Sequence, residues 1–458
     1  MFYKEINSSV ILNFNTSQRF DIKRGVRQGC PISPFLFILV VIHKYFPDPD
    51  LKGISIFDRE IRILQLADDT TLFLRDRDQL PKAIELVEQF SSASGLKLNI
   101  SKCELLPLHE CDETSIDNVP IKNAVNYLGI HMTRNLLVKQ HLNFNERIKK
   151  TRNIFNLWLQ RDLTLYGRVL LSKAEGLSRF VYPSLSLFVN DSTANVINKL
   201  FLDFIWKKKP YKLKKAVLSN SRADGGLEVL NFIDTVNTFK VNWLKRCLAN
   251  PNSLWFFIPN HIFDKIGGLS LVLICNYAPN RLPVALSKFH QQSLLAWKLC
   301  YTHNFSPHRT FLWNNNNITI KNTSLFYPKW FERNIVNILS LFDEHGSIMS
   351  YENFITKHSF PIPFKELNAV TKAIPSGLSH LIKSHVCFNE VHTSYDIPTL
   401  SLNGMELKDK CNNRLIRQIF QSKNKIIPRG KFYWNSHFEN INWKNCGFYL
   451  INFVFPTR

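Results

Sequence analysis

The chain has 458 residues, enough for several domains with sizeable cores. Its composition, 45% hydrophobic and 21% charged, is typical of globular proteins and excludes a disordered one. With 58 Lys and Arg against 36 Asp and Glu, the net charge of +22 favours polyanionic partners, nucleic acid before acidic membrane surfaces. Solvated lysine-rich faces would give the same charge, so charge alone leaves the partner open.

The cysteines and the first residues bear on the compartment. The nine cysteines are scattered and never in C-x-x-C spacing, which argues against a disulfide framework and a cysteine zinc site. They fit a reducing compartment, most of them as small core residues. No signal peptide is evident, and the longest apolar run, residues 35–42, is too short to span a bilayer. We therefore expect an intracellular protein, cytoplasmic or nuclear, without membrane association.

The N-terminal segment predicts two strands, a loop and a helix. Residues 1–22 alternate loosely, which indicates two short strands joined by a polar turn. The loop that follows reads RGVRQGCPISP, and its two glycines allow close approach of a ligand. Ser33 and Pro34 suit the start of a helix over the apolar residues 35–42, although so short a run also fits a strand. A glycine loop flanked by cations before a helix can hold a phosphate.

Two adjacent acids, Asp68 and Asp69, lie between two runs rich in Ile, Leu, Phe and Thr. Runs of this kind separated by two residues predict a β-hairpin whose turn is Asp68–Asp69. Two carboxylates repel by about 4 kcal/mol at a separation of about 4 Å and an effective dielectric near 20, and a bound divalent cation turns that cost into attraction. Asp-Asp is also good turn chemistry on a solvated hairpin, so the pair alone favours a turn over a metal site.

Beyond this hairpin, the sequence predicts a helix, a strand and a second hairpin. Residues 80–95 predict the helix, because apolar side chains recur at helical spacing between a proline and a glycine. Residues 96–100 alternate as a strand, and residues 124–130 have the pattern of a hairpin.

The segment 134–215 is the most basic part of the chain, with 17 Lys and Arg against 5 Asp and Glu, an excess of 12. Apolar residues recur there at roughly helical spacing with basic residues between them. This predicts amphipathic helices whose basic faces can follow a nucleic-acid backbone, the alternative being a solvated basic face. The apolar positions are Ile148, Phe155, Leu159, Leu163 and Leu170, and the basic ones are Lys149, Lys150, Arg152, Arg161 and Arg168.

Residues after 250 are less informative. The asparagines at 314–317 predict a loop. Six tryptophans are spread far apart, which favours anchors of hydrophobic cores over side chains that stack on bases. They are Trp255, Trp297, Trp313, Trp330, Trp434 and Trp443.

Four motifs occur along the chain in a specific order: RGVRQGCPISP, LADDT, SGLKLNISK and YLGI. This order resembles the reverse transcriptases of non-LTR (LINE-type) retrotransposons, in which LADDT is the ADD motif. The later segments WLQRDLTLYGRV, FIWKKK and GGL look like the stretches that follow in that family. The resemblance covers about residues 1–247 and becomes diffuse afterwards.

The resemblance implies an α+β fold and a polymerase function. Residues 1–133 would form a partial reverse transcriptase palm, an antiparallel sheet with packed helices. Residues 134–250 would form a basic helical thumb and connection, and residues 251–458 a mostly α-helical C-terminal region of unknown role. The implied activity is that of an RNA-directed DNA polymerase, with Mg²⁺ or Mn²⁺ as cofactor and an RNA template, a DNA primer and dNTPs as partners. The oligomeric state stays open.

The resemblance also assigns site residues. Asp68 and Asp69 match the metal-binding pair of the palm hairpin, with Asp68 as the direct Mg²⁺ ligand and Asp69 in support. Lys102 matches a lysine near the triphosphate that could protonate pyrophosphate, although a lone lysine on a strand edge is usually solvated. Arg27, Gln28 and Gly29 match the loop against template and incoming nucleotide, and Tyr127, Leu128 and Gly129 match the primer-grip hairpin, with core packing as the alternative for Tyr127.

The chain also departs from the family pattern. A polymerase palm needs a further catalytic Asp on a strand before the RQG loop. Only 23 residues precede Arg24, and Asp21 lies too close to the loop to be that carboxylate. We therefore expect an N-terminally truncated retroelement reverse transcriptase with impaired catalysis. Two alternatives stay open: a non-catalytic, basic nucleic-acid-binding remnant, and a structural relic with no partner.

Overall fold

The computed structural model divides the chain into two compact units, Met1–Asn143 and Phe144–Arg458, here the N-terminal and C-terminal units. Short antiparallel strand pairs dominate the first and helices the second, so the predicted α+β class is confirmed at this level. The structure describes residues 6–22, 31–32, 49–66, 69–94, 98–224, 226–303, 306–307, 310–385, 399–402, 404–408, 411–423, 425–426, 435–438 and 441.

The described strands of the N-terminal unit pair as two-stranded antiparallel ladders. The predicted first hairpin is confirmed, and its turn at Asn13 and Phe14 has positive φ at both residues. The predicted hairpin at 124–130 is also confirmed. The pairs are β1 (Asn7–Ser8) with β4 (Phe20–Asp21), β2 (Ile11–Leu12) with β3 (Asn15–Thr16), β5 (Ile54–Ile56) with β6 (Arg59–Ile61), β7 (Ile63–Leu66) with β8 (Asp69–Leu72), β9 (Ser115–Ile116) with β10 (Val119–Pro120), and β11 (Ala124–Tyr127) with β12 (Ile130–Thr133).

The first described helix, α1 (Leu80–Ser94), confirms the helix predicted at this place and follows a 3₁₀ turn at Arg77–Gln79. It buries Ala83 and Leu86 in the small core of this unit. Ile63 of β7 and Leu72 of β8 are partly buried against the same core, so the hairpin that carries the acidic pair packs on α1.

The strand predicted at 96–100 is wrong over residues 98–100, and residues 95–97 lie outside the described part of the chain. Instead, Ile100–Lys102 forms a 3₁₀ turn in which the Lys102 N–H donates to the Asn99 carbonyl at 3.0 Å. The Asn99 side chain accepts a bond from the Ser101 hydroxyl at 2.6 Å. Local side-chain hydrogen bonds of this kind compete with a strand, and the apolar alternation does not reveal them. The short helix α2 (Leu136–Gln140) lies near the end of this unit, and the π-helix His141–Asn145 continues across the boundary at Asn143.

Several helices of the C-terminal unit begin at a polar side chain that accepts a backbone N–H of the first turn. Thr164 accepts from Gly167 at 3.0 Å, and Asn190 accepts from Thr193 at 2.7 Å. The helices are α3 (Glu146–Leu159), α4 (Leu165–Leu171), α5 (Ser178–Ser186), α6 (Asp191–Ile205), α7 (Lys215–Ser219), α8 (Phe232–Ala249), α9 (Phe257–Asp264), α10 (Gly268–Ile274), α11 (Lys288–Cys300), α12 (Pro328–Glu332), α13 (Tyr351–His358), α14 (Phe364–Ala373), α15 (Ser376–His385) and α16 (Asn413–Lys423), with a π-helix at Ser172–Leu177, 3₁₀ turns at Arg222–Asp224, Leu254–Phe256 and Ile338–Leu341, and the strand pairs β13 (Thr319–Ile320) with β14 (Thr323–Ser324) and β15 (Ser401–Leu402) with β16 (Met405–Glu406).

Aromatic side chains fix the packing of α3 on α6. The rings of Phe155 and Phe204 stack with their centroids 4.1 Å apart. Gly176 lies against the same cluster, where a Cβ atom would come within 2.7 Å of Phe155 and 2.8 Å of Phe201. The close contact of the π-helix with this cluster therefore requires glycine at this position.

Three of the tryptophans are core anchors, as predicted. Trp297, Trp313 and Trp330 are fully buried, and each indole N–H donates to an oxygen of the unit. Trp255 is 73% exposed, so the prediction is wrong for this residue, which follows a surface turn and precedes α9. The tract at 314–317 is an irregular loop as predicted, although two of its side chains are buried. Trp434 and Trp443 lie outside the described residues.

The cysteines behave largely as predicted. Six of them lie in the described part of the chain, and all six are free thiols. Burial raises the pKa of the Cys247 thiol to about 12 and that of the Cys300 thiol to about 12, which makes both poor nucleophiles. The buried ones are Cys247, Cys275, Cys300 and Cys411.

Within the described ranges, no single helix is both long and apolar enough to cross a lipid bilayer. Two consecutive helical segments, Leu254–Asp264 and Gly268–Ile274, reach the required length and hydropathy only when taken together. They are bent by 61° at the break between them.

One basic residue of the segment 134–215 differs from the prediction. Arg168 is not on an exposed basic face but is 6% exposed, whereas Leu170 is 47% exposed. The Arg168 Nε donates to the Ile205 carbonyl at 2.7 Å, and a terminal nitrogen donates to the Leu163 carbonyl. Burial lowers the pKa of the Arg168 guanidinium, an effect that the nearby Asp162 opposes. The pattern of alternating apolar and basic residues does not reveal carbonyl acceptors that lie on another helix.

Lys240 of α8 is a fully buried lysine. Its Nζ donates to the Ser184 carbonyl at 2.9 Å and the Leu187 carbonyl at 2.7 Å, and it lies 3.8 Å from the centre of the Phe289 ring. Burial lowers the pKa of Lys240 to about 6, while the two carbonyls at the end of α5 and the aromatic ring favour the ammonium form. No carboxylate among the described residues pairs with it.

We expect the stability of the C-terminal unit to rise with pH above about 6 because of Lys240. Its folded pKa is lowered from 10.5, so between these values the unfolded chain binds the extra proton, and raising the pH favours folding. The slope for one such group is at most about 1.4 kcal/mol per pH unit. Urea unfolding of the wild type and of Lys240→Met across this range measures it. The difference in unfolding free energy between the wild type and Lys240→Met should change with pH. The unfolding free energy of Lys150→Met, a variant on the surface of α3, should depend on pH as that of the wild type does.

Candidate functional site

The hairpin β7–β8 ends in the acidic pair. The last pair of the ladder joins Leu66 to Asp69, so the two-residue connection is Ala67–Asp68, which lies outside the described residues. The turn predicted at Asp68–Asp69 is therefore one residue too late. The prediction placed both acids in the turn, whereas Asp69 is the first residue of β8.

Asp69 projects from the face of the hairpin opposite α1. Side chains alternate along a strand, so Asp69 and Thr71 share one face, while Leu72 is on the other face with Ile63 and packs on α1. The Asp69 residue is exposed to solvent. A carboxylate at an open hairpin end is a hard oxygen donor of the type that Mg²⁺ prefers, so the described member of the pair fits a metal site by its chemistry. The described residues contain no group of three or more His, Cys, Asp or Glu side chains that could hold a metal ion.

The other predicted residues near this pair are only partly described. Arg27, Gln28 and Gly29 lie outside the described residues, as does Asp68. Lys102 is exposed at the end of its 3₁₀ turn rather than on a strand edge. In the described part of the chain, no hydrogen bond or ion pair joins Lys102 to Asp69.

Tyr127, Leu128 and Gly129 come together at one tight turn. Tyr127 pairs with Ile130 in the ladder, and the two residues between them have φ of 50° and 78°. Positive φ at both central positions is the signature of a type I′ turn, which favours Asn-Gly. A bulky residue such as Leu128 is rare in this conformation, so the turn carries backbone strain at the position predicted for the primer grip.

Asn143 anchors this hairpin, a role that the sequence does not predict. Its side chain is fully buried. Its Oδ1 accepts the His131 N–H at 2.9 Å, and its Nδ2 donates to the His131 and Lys139 carbonyls at 2.9 Å. The amide thus ties β12 to the helical segment that follows. One asparagine inside a helical pattern is a weak signal, because its main partner lies twelve residues away.

Comparison with known proteins identifies the N-terminal part of the chain. Residues 2–132 match the family described as reverse transcriptase (RNA-dependent DNA polymerase). Over 321 residues, the chain is 24% identical to the "Transposon TX1 uncharacterized 149 kDa protein" of Xenopus laevis. This alignment covers 65% of the chain, more than twice the share that residues 2–132 represent, so the similarity extends into the C-terminal unit. It covers 24% of the Xenopus protein.

Two shorter alignments match polyproteins of retrotransposable elements. Over 88 residues, the chain is 36% identical to the retrovirus-related Pol polyprotein from type-2 retrotransposable element R2DM of Drosophila melanogaster, covering 19% of the chain and 8% of that protein. Over 89 residues, it is 37% identical to the corresponding polyprotein from type-1 retrotransposable element R2 of Popillia japonica, covering 19% of the chain and 12% of the relative. The chain spans about a quarter or less of the length of these relatives.

The strained turn yields a prediction. Leu128→Asn should stabilise the N-terminal unit by about 1 kcal/mol, since asparagine tolerates the left-handed conformation that leucine resists. Chemical denaturation of the variant measures the change. Leu108→Asn is the control, because Leu108 is an exposed leucine of the same unit whose φ is not positive, and the stability of that variant should stay at the wild-type value. A loss of stability in Leu128→Asn would mean that packing of the leucine outweighs the strain.

Proposed function

Because residues 2–132 belong to the reverse transcriptase family, of the kind found in non-LTR retrotransposons, we propose that this chain supplies the palm and thumb of an RNA-directed DNA polymerase. The observation that carries the proposal is the hairpin β7–β8, which holds Asp69 at an exposed end with Asp68 beside it in the chain. The palm would be residues 1–133, the thumb and connection residues 134–250, and residues 251–458 a C-terminal region without an assigned role.

Each proposed site residue has a task in nucleotide addition. Asp68 and Asp69 would hold Mg²⁺ or Mn²⁺, which when bound activates the primer hydroxyl and stabilises the charge of the departing pyrophosphate. Lys102 would donate a proton to that pyrophosphate. Arg27, Gln28 and Gly29 would contact the template and the incoming dNTP, and Tyr127, Leu128 and Gly129 would position the primer end.

A basic loop surface in the C-terminal unit supports nucleic-acid binding. We define it as Arg161, Lys207–Lys209, Lys212, Lys214 and Arg222. Residues 207–214 leave the end of α6 through Lys207 and Lys208, which have φ of 52° and 57° and are exposed. Asp162, next to Arg161, pairs with Lys207 at 3.6 Å, so the two loops adjoin. Such a concentration of exposed cations suits the phosphate backbone of a template–primer duplex.

Aromatic side chains hold two arginines of this surface in place. The Arg161 guanidinium lies 5.3 Å from the centre of the Trp158 ring. The Arg222 guanidinium lies 4.5 Å from the centre of the Tyr166 ring and donates to its hydroxyl. Both contacts restrict the rotamers of long side chains, which lowers the entropy cost of binding a phosphate.

We further propose that these 458 residues, expressed as they stand, extend primers weakly. The family uses a third carboxylate on a strand before the RQG loop, and Asp21 lies too close to that loop for the role. If these residues alone supply no third carboxylate, positioning of the phosphates is impaired, and positioning provides most of the catalysis in phosphoryl transfer. A non-catalytic nucleic-acid-binding remnant is the second candidate, because the basic loop surface would serve it equally well.

Asp69 provides the direct test of the metal site. Mn²⁺ binding, followed by electron paramagnetic resonance, should be lost or weakened at least about tenfold in Asp69→Ala, because a carboxylate ligand is removed. Residual extension of a primer on a homopolymer template should disappear in the same variant. Asp78→Ala, at an exposed acid of the same unit, is the control and should bind Mn²⁺ as the wild type does. Unchanged Mn²⁺ binding in Asp69→Ala would contradict the polymerase site. If the wild type extends primers robustly and Asp69→Ala abolishes this extension, the proposed impairment would be contradicted but the polymerase site would not.

The basic loop surface gives a second test. Replacing Lys208, Lys209 and Lys214 together by Ala should reduce the slope of log K against log salt for an RNA–DNA hybrid duplex by about 2 to 3, since each phosphate contact contributes about 0.9. Fluorescence anisotropy at several salt concentrations measures the slope. The matched control replaces Lys329, Lys365 and Lys372, which are equally exposed but lie elsewhere in the unit. Equal slopes for the two triple variants would contradict a specific binding surface.

A further inference from the structure

The N-terminal unit contains a cleft on the hairpin β5–β6, at the far end of β7–β8 from the acidic pair. The Arg62 carbonyl accepts the Phe73 N–H at 2.7 Å, just beyond the pair Ile63 and Leu72. Four residues of strand, about 13 Å, therefore separate this level of the sheet from the Leu66–Asp69 end. The cleft has a volume of about 370 Å³, within the range of roughly 300–1,000 Å³ typical of small-molecule sites. Its lining includes Lys52, Ser55, Phe57, Arg59, Arg62 and Arg75.

The charge of the cleft is positive. Four Lys and Arg side chains and two acids, Asp58 and Glu60, line it, which leaves a net charge of +2. Glu60 is engaged within the fold, since it accepts from Arg62 Nε at 2.9 Å and from the Gly53 N–H at 2.7 Å. These two bonds, the Arg62 bond foremost, lower the pKa of Glu60, so it remains ionised and bound to Arg62. The phosphate of a ligand would then be met chiefly by Lys52 and Arg75.

Two of these cations differ in how firmly they are held. Arg75 donates to the Ser55 hydroxyl at 3.1 Å and lies 4.0 Å from Glu60, so its guanidinium has a fixed position on the wall. Lys52 is exposed, and its backbone accepts the Arg75 N–H at 3.0 Å, which places the two residues side by side. A fixed guanidinium beside a mobile ammonium is a suitable arrangement for one phosphate group.

An aromatic ring stands at the rim of the cleft. Phe57 occupies the turn between β5 and β6 with φ of 57° and is 45% exposed. The last pair of this ladder is Ile56 with Arg59, so Phe57 directly follows the end of β5. Every nucleobase has a face that can stack on such a ring.

We propose that this cleft binds one nucleotide unit of a single strand, with its phosphate on Lys52 and Arg75 and its base on Phe57. The proposal rests on the proposed function in taking nucleic acid as the partner. It adds a contact site for the single-stranded part of the template, separate from the end of the hairpin that carries Asp69. The same chemistry would accept a free nucleotide, and competition distinguishes the two sources.

The test measures binding of a fluorescently labelled single-stranded RNA to the 458-residue chain by anisotropy. Phe57→Ala should weaken binding by roughly fivefold or more, because stacking on one base is worth about 1–3 kcal/mol. Lys52→Ala should weaken it less and lower the salt slope by about 0.7, the value for one phosphate contact on a single strand. Phe57→Tyr, which keeps the ring, should restore the wild-type affinity.

Phe14→Ala is the matched control, since Phe14 is also an exposed phenylalanine in a hairpin turn with positive φ in the same unit. Equal affinity of Phe57→Ala and the wild type, or an equal loss in Phe14→Ala, would overturn the proposal. Displacement of the strand by AMP from the wild type, but not from Phe57→Ala, would identify a free nucleotide as the occupant. A wild type that binds no RNA would count against the proposed function as well as against this site.

Discussion

The register of the β7–β8 ladder is the constraint on which the acidic end of the N-terminal unit depends. Ile63 and Leu72 form one pair of this ladder and pack toward α1. A slip of one residue would move both from the core to solvent and turn Asp69 toward the helix. The carboxylate would then lose water without gaining a partner, which is costly. Apolar burial at one end of the hairpin therefore determines which way the acid at the other end points.

The C-terminal unit places buried basic side chains against the ends of helices rather than against carboxylates. Arg168 donates to the carbonyl of Ile205, the last residue of α6, and Lys240 donates to carbonyls at the end of α5. These carbonyls have no partner within their own helix, and they carry the negative end of its dipole. Each basic side chain thus donates to acceptors that the helix leaves open, and it links two helices far apart in sequence.

Features that depend on near neighbours in sequence could be predicted, and those that depend on distant partners could not. Both hairpins and α1 follow from local alternation and spacing, and the error at the acidic turn was a single residue. The strand at 96–100 failed because Asn99 and Ser101 bond to each other, which an apolar pattern does not record. The burial of Arg168 depends on an acceptor 37 residues away, so its charge alone suggested an exposed face.

In the candidate site, too, features that depend on neighbours in sequence could be predicted and those that depend on distant partners could not. Tyr127, Leu128 and Gly129 were predicted to lie together because one turn contains them, and they do. The strain at Leu128 depends on the backbone geometry of the turn, and the role of Asn143 depends on a hydrogen bond to β12, twelve residues earlier. Neither feature could be inferred from the sequence. The role of Lys102 depends on residues distant in sequence and remains a prediction.

The buried guanidinium of Arg168 affects the entropy cost of binding a ligand on the basic loop surface. One carbonyl acceptor, Leu163, lies two residues after Arg161, and the other, Ile205, lies two residues before Lys207. Arg161 and Lys207 mark the two loops of the basic loop surface. One planar, rigid group therefore holds both loops in register before any ligand arrives. The conformational freedom of these loop ends is lost during folding and not during encounter, so less of it opposes complex formation. A lysine could not replace this arginine, because a single ammonium on a flexible stem lacks the fixed fork that spans two acceptors.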